Sequence, residues 1–280
     1  MGKLYVVGTP IGNLEDLTPR AARVLGEVSL IAAEDTRVTR RLLSHLGLHT
    51  PMVSYNEHNQ QQRLPALLEA LGSGGVALVT DAGMPGVSDP GAELVSQAAA
   101  AGFPVEAVPG VSAVTTAMAM SGMSGDEFLF LGFLPRKARE RRARLQELTG
   151  STHTLVIFEA PHRLQATLKD ILAVLGDRGM SVCRELTKFY EEVFRGNASE
   201  ALTHFREPRG EFVLVLHGAA PAPAADAPDP DRLEDAAGWL ANLRQEGVRA
   251  KDAVAEVSEA TGLTKNRVYQ IWVESGRTAG

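Results

Sequence analysis

Cysteine is all but missing from this chain: Cys183 is the single one in 280 residues. No intramolecular disulfide framework can form, and the reducing cytoplasm is the expected compartment. Also lacking is an apolar run of about 18 residues, the length a membrane-spanning helix needs. The apolar part of the opening MGKLYVVGTP is too short for a secretion signal. No Cys/His grouping has metal-ligand spacing, so no metal is expected, and the isolated His58 and His162 read as structural. There is no surplus of positive charge either. The formal net charge of −6 argues against non-specific nucleic-acid binding, so any RNA contact must come from a local basic patch. Two nucleotide signatures are absent as well. GTPIGN (8–13) is followed by no Gly-Lys-Ser/Thr and is not G-x-G-x-x-G, so neither ATP nor NAD is supported.

What remains is ordinary globular composition, 44% hydrophobic and 22% charged, over a length that favours more than one domain. Apolar runs at 4–7, 29–33, 76–79 and 104–108 read as strands. They alternate with helical patterns at 19–28, 37–46, 91–101 and 112–120, Thr18 capping the first with Pro19 at its first position. Strand, glycine-rich turn, helix, repeated, is the pattern of a parallel sheet with helices on both faces. After Ser121-Gly122-Met123-Ser124-Gly125 a second α/β set follows, with strands around 128–132, 154–158, 181–185 and 212–216 and helices at 137–148 and 162–175. The expected organisation is therefore an N-terminal α/β domain (1–122), a second α/β domain (123–218), an Ala/Pro linker AAPAPAADAPDP (219–230) and a helical domain (231–280). In the last, Gly262 ends one helix and Thr264 caps the next. The result resembles a helix-turn-helix, with Lys265, Asn266 and Arg267 opening its second helix; it reads as an RNA contact or a small packing module.

Three Gly/Pro-rich segments fall just past strand ends: GTPIGN (8–13), DAGMPGVSDPG (81–91) and PGVSA (109–113). Ligands of open α/β sheets bind at that edge, and irregular backbone lets main-chain groups approach them closely. Asp81 is placed to accept hydrogen bonds from ribose hydroxyls or an amine. Asp89-Pro90 reads as a helix cap with its first-turn proline. Each loop alone is equally an ordinary turn; together they favour a ligand cleft. AEDTR (33–37) brings two carboxylates and an arginine to a strand end, for substrate orientation, proton abstraction or a helix cap at Asp35. SYNEHN (54–59) reads as a solvated polar loop. PRKARERRAR (135–144) holds six basic residues against one acid, a phosphate-contact candidate in a chain of this net charge or else a solvated helix face. EAPHR (159–163) and RELTK (184–188) bring charged groups to the second sheet's edge, as site residues or as structural ion pairs.

VGTPIGNLEDLTPRA, AEDTR, SYNEHN, LVTDAGMPGVSDPG, VPGVSA, FLGFLPRK, TLVIFEAPHRL, RELTKFYEEVFRG and GEFVLVLHG occur in this order. Together, over about residues 3–218, they resemble the ribosomal RNA methyltransferase branch of the tetrapyrrole methylase-like superfamily; the C-terminal VSEATGLTKNRVYQI is similar to that branch's small helical domain. The resemblance implies two α/β domains of the tetrapyrrole methylase type with S-adenosylmethionine in the cleft between them, and a homodimer. It also implies 2′-O-methylation of a cytidine in the decoding region of 16S rRNA, on the RNA or the small ribosomal subunit. Carried onto this chain, Pro10, Asp81, Ala82, Gly83, Val87, Ser112 and Ala113 line the cofactor, and Glu159 and Ala160 close it from the second domain. Asn56 stands where the family usually has His, and Met84 where Thr is common. Asp35 and Glu185 are the candidate proton acceptors. Arg37, Arg163 and Lys188, with Arg136, Lys137, Arg139, Arg141 and Arg142 of the basic run, are the candidate RNA contacts. A small tetrapyrrole acceptor and a non-enzymatic RNA-binding protein are the competing readings.

Overall fold

In this computed structural model residues 2–220 and 230–277 are described. They fall in two compact units, 1–219 and 220–280. The stretch expected as a linker lies, from 221 to 229, outside the described residues.

The first half of the larger unit alternates β1 (Leu4–Val7), α1 (Pro19–Glu27), β2 (Leu30–Ala33), α2 (Thr36–His45), β3 (Met52–Ser54), α3 (Gln60–Ser73), β4 (Val76–Val79), α4 (Ala92–Ala100), β5 (Val105–Val108) and α5 (Ala113–Ser121). The strands form one parallel sheet in the order β3-β2-β4-β1-β5. The expected cap is present, Thr18 Oγ1 accepting from the Ala21 N–H at 3.1 Å. Every residue of the central β4 is buried, with Val24, Leu25 and Ile31 packed on one face of the sheet and Tyr55, Leu67 and Leu94 on the other. Two elements of this half escaped the sequence reading. β3 is only three residues, too short to show a period, and α3 opens on Gln60-Gln61-Gln62-Arg63, which reads as loop. At the sheet edge β5 is partly exposed and carries Glu106, so only the interior strands have helices on both faces.

The second half contains β6 (Phe128–Phe133), α6 (Ala138–Gln146), β7 (Thr154–Glu159), α7 (Pro161–Leu175), β8 (Gly179–Arg184), β9 (Glu192–Asn197), α8 (Ala198–His204) and β10 (Phe212–Leu216). The sheet order is β6-β7-β10-β8-β9, and only the β6/β7 pair is parallel. Strand β9 was not anticipated because EVFRGN mixes polar and apolar residues, as an edge strand does. One face of this sheet is covered by α6, α7 and α8, through Leu145, Leu164, Leu168, Ile171 and Ala201. The other face takes α5 from the first half: Val114, Ala117 and Met118 pack on Val156, Cys183, Val213 and Val215. Residues 1–122 and 123–218 therefore share a core and form one compact unit, and Gly122, left-handed at φ +75°, only turns the chain. Cys183 lies in that shared core, where burial pushes its thiol up to about 11 and keeps it unreactive.

The smaller unit is three helices, α9 (Pro230–Gln245), α10 (Ala250–Thr261) and α11 (Lys265–Arg277), around Ala236, Leu240, Ala253, Val257 and Val268. Gly262 ends α10 at φ +70°, and Thr264 Oγ1 accepts from the Arg267 N–H at 3.4 Å, as the sequence led one to expect. Arg244 lies 4.1 Å over the Trp272 ring. No helix among the described residues is long and apolar enough to cross a membrane.

Candidate active site

The three glycine-rich loops come together past the carboxyl ends of β1, β4 and β5, and they are tied main chain to main chain. Thr9 and Gly83 exchange both backbone hydrogen bonds, at 2.9 and 3.1 Å. Gly8 and Gly110 approach so closely that a Cβ on Gly8 would sit 2.7 Å from Gly110 N, and one on Gly110 would sit 2.9 Å from Gly8 C. Glycine is required at both positions by that contact. Across the cleft the loop after β8 leans on the first, with Lys188 Cγ within 2.4 Å of where a Gly12 Cβ would be. Among the described residues, the non-glycine positions with positive φ are Ser88 (61°), Glu185 (50°) and Thr187 (67°), in the loops that meet here. Backbone strain of this kind is held in place at ligand sites.

Between the loops and the second sheet lies a cavity of about 530 Å³, lined mostly by apolar groups. Of the residues expected at the cofactor, Ala82, Gly83, Val87, Ser112, Ala113, Glu159 and Ala160 line it. Ser112 opens α5, yet its hydroxyl makes no cap, which leaves Oγ free toward the cavity. Pro10 and Asp81 are not on the wall. Pro10 adjoins Ile11, which is, and the Asp81 carboxylate instead accepts from the Asp35 N–H at 3.1 Å. Residues outside the expected cofactor set also line the cavity, among them Met84, Asp89, Phe133, Phe158, His162 and Phe212. The second-wall members carry no loop signature; only their position at the ends of β6, β7 and β10 marks them.

The carboxylates separate by what they already hold. Asp35, an expected proton acceptor, caps α2 and receives Arg37 Nε at 3.0 Å; that guanidinium, helped by the Arg37 N–H, holds the carboxyl down at about 2. So held, the carboxylate is a weaker base than a free one, and Asp35 does not line the cavity. Glu185, the other, is not on the cavity wall. It accepts from the Glu211 N–H at 2.8 Å and from Lys188 Nζ at 3.0 Å. Burial works against it, but these two donors hold the carboxyl below its ordinary value, and Glu185 braces the loop after β8. Glu159 is buried, with the Ala160 N–H at 2.8 Å, the Thr167 hydroxyl and Arg163 Nε at 3.3 Å around it. It fixes the start of α7.

Asp89 differs from all of these. The expected cap at Asp89-Pro90 does not form, because α4 begins at Ala92 with Gly91, at φ +145°, as its cap. Leu78 Cδ2 lies 2.9 Å from where a Cβ on Gly91 would be. The Asp89 carboxylate is thereby released to the cavity wall with no hydrogen-bond or ion-pair partner among the described residues. Burial, then the nearby Glu34, Asp81 and Glu57 carboxylates, push it up to about 6.

The basic run is mostly neutralised. Arg141 is buried at 5% exposure, its Nε on Asp170 at 2.8 Å, and Arg142 Nε holds the other oxygen of the same carboxylate at 2.6 Å. Arg141 is thus a structural residue and not an RNA contact, and Arg142 is committed to Asp170. Lys137 pairs with Glu140 and Arg144 with Glu147. Lys188 is held by Glu185 and Glu211, Arg37 by Asp35, and Arg163 donates to the Leu134 and Pro135 carbonyls. Arg136 and Arg139 remain, with side chains that hold no partner among the described residues.

Two α/β sheets clasping one apolar cavity, with one wall of glycine loops, define a class of methylase. The model of the Tetrapyrrole (Corrin/Porphyrin) Methylases matches residues 3–202, and the chain belongs to that family. More particular are its curated relatives. "Ribosomal RNA small subunit methyltransferase I" of Synechocystis sp. is 45% identical over 278 residues, 98% of each chain. The protein of that name from Thermotoga maritima is 50% identical over 221 residues, 78% of this chain and 99% of its own. The model of the RsmI C-terminal HTH domain matches residues 229–275. Solved structures share the fold: the methyltransferase CobJ has a TM-score of 0.60 at 18% identity, over 79% of this chain and 95% of its own. Uroporphyrin-III C-methyl transferase from Thermus thermophilus, complexed with S-adenyl homocysteine, has a TM-score of 0.56 at 24% identity, over 77% and 97%.

Proposed function

We infer that this chain methylates RNA of the small ribosomal subunit, moving a methyl group from S-adenosylmethionine to the ribose 2′-oxygen of a cytidine in the decoding region of 16S rRNA. It works in the cytoplasm as a homodimer. The observation that carries the reading is the cavity itself, of a size for a nucleoside cofactor, in a chain so similar to proteins named as ribosomal RNA methyltransferases. The residues fit the cofactor. Ala82, Gly83 and Ala113 present backbone without bulk, Ile11, Met84 and Val87 offer an apolar bed for a purine, and Ser112 Oγ is an uncommitted hydroxyl. When bound, S-adenosylmethionine supplies a methyl group already activated on a sulfonium. The chain's own contribution is chiefly position, worth roughly 7–11 kcal/mol for well-oriented partners. Asp89 is the proton acceptor this reading favours, since a carboxylate near pH 6 is largely ionised at neutral pH yet basic enough to take a hydroxyl proton. The exposed aromatic pair Phe189 and Tyr190, 93% and 68% accessible, supports a surface for a second copy.

Calorimetric titration with S-adenosylmethionine, paired with transfer of labelled methyl to isolated small subunits and to a porphyrinoid, tests the reading. Binding with label only on the subunit's RNA is expected. Label on the porphyrinoid, or no heat of binding at all, would sink it. Turnover should rise with pH through about 6 and lose that inflection in Asp89→Asn.

A further inference from the structure

A second hollow adjoins the cofactor cavity. At the end of β6 the register against β7 shifts between Phe130 and Phe133, and Gly132 takes φ +60°. This bulge turns Phe133 out of the sheet, leaving it 54% exposed, edge to face with Phe158 at 5.7 Å. Beyond it is a second hollow of about 410 Å³, walled by Phe133, Leu134, Pro135, Arg136, His162 and Arg163. Phe133, Ala160 and His162 line both hollows, so the two adjoin. Arg163 is spent on holding the Leu134–Pro135 backbone and the Glu159 carboxylate. Arg136 is spent on nothing: its guanidinium has no partner among the described residues, while the neighbouring Lys137 is paired.

A competing hollow of about 400 Å³ lies on the other side, lined by Glu34, Asp35, Arg37, Asn56, Glu57 and His58. Its arginine is already neutralised by Asp35, and the remaining carboxylates would repel a phosphate. Charge therefore chooses between the two.

Resting on the reading above, we propose that the Phe133–Arg136 chamber receives the acceptor nucleotide of single-stranded RNA, its base stacked on Phe133 and its phosphate on Arg136. Aromatic faces take unpaired bases without regard to identity, and an uncommitted guanidinium matches a phosphate in a bidentate fork. The ribose between base and phosphate then lies at the mouth shared with the cofactor cavity.

Steady-state methylation of small subunits by the full-length protein tests this. Arg136→Ala should raise KM for subunits about tenfold, flatten its salt dependence, and leave the calorimetric affinity for S-adenosylmethionine within about twofold. Phe133→Leu should raise KM for subunits about tenfold or more, with Phe133→Trp restoring it. Unchanged KM in Arg136→Ala, or equal KM values for the Leu and Trp variants, overturns the chamber while methylation by the parent protein upholds the proposed function. Should the parent protein bind the cofactor but label no subunit RNA, the function falls and the chamber falls with it.

Discussion

The two walls of the cleft are made of different material. The first is backbone: loops after parallel strands, tied at Thr9–Gly83 and pressed together at Gly8–Gly110, with little side chain in the way. The second is side chain: Phe133, Phe158, Glu159 and His162 stand on strand ends and a helix start, and behind them charged groups are paired off. A wall of backbone tolerates almost no added atoms, whereas a wall of side chains tolerates truncation and fails when a buried charge loses its partner. Gly110→Val puts the question most sharply. Its Cβ must displace the main chain of Gly8, so cofactor affinity should fall by at least 100-fold in calorimetry while circular dichroism still reports a folded chain. If affinity survives, the first wall is not the rigid seat described.

The second wall should break in another way. Arg141→Ala leaves Asp170, buried with a side chain 3% exposed, without its inner partner. Loss of one member of a buried pair costs about 3–5 kcal/mol. Urea unfolding at neutral pH should show that loss. The outer Arg142, 61% exposed, should cost far less when replaced.

This contrast also explains what could be read from the sequence. The loops of the first wall were legible because glycine and proline act on the backbone where they stand: GTPIGN, DAGMPGVSDPG and PGVSA all lie at the sheet edge, and Ala82, Gly83, Ser112 and Ala113, named from the family resemblance, line the cavity there. The chemistry of the second wall was not, because it depends on which distant residues meet. PRKARERRAR looks uniformly cationic until Asp170, some thirty residues on, is folded beneath it. Glu185 looks free until the N–H of Glu211 arrives from β10's leading edge. Asp89 was passed over for the opposite reason. Asp-Pro before a helix reads as a cap, and only the geometry of Gly91 moves the cap onward and releases the carboxylate.

Asp89 also joins the walls to stability. Its folded value, about 6, lies above the ordinary aspartate value of 3.8, so the folded state holds the proton more tightly than the unfolded one. Its contribution is fully present below about pH 4 and lost as pH rises through about 6. Asp89→Asn should therefore leave the melting temperature unchanged at pH 4 and raise it at pH 8. The gain should be on the order of 1 kcal/mol once solvent screening of a half-buried group is allowed for. A variant equally stabilised at both pH values would mean that the carboxylate is not the strained group, and that the first wall carries no stored charge.

The smallest expected effect discriminates most finely between free and committed cations. Arg139 is on the same helix as Arg141 and two residues away, yet its side chain holds no partner among the described residues, and the other cations of that run, Arg136 apart, are neutralised within the chain. A residue that touches one phosphate and nothing else should leave folding untouched and lower the dependence of log affinity on log salt by about 0.7–0.9 when removed. Arg139→Ala should show that reduced slope against small subunits, with an unaltered urea midpoint; Arg142→Ala, whose guanidinium is spoken for by Asp170, should shift the midpoint and spare the slope. The reverse pattern would mean that the pairs seen in the free chain are exchanged for phosphates when RNA binds, and the second wall would then be a reserve of cations and not a set of struts.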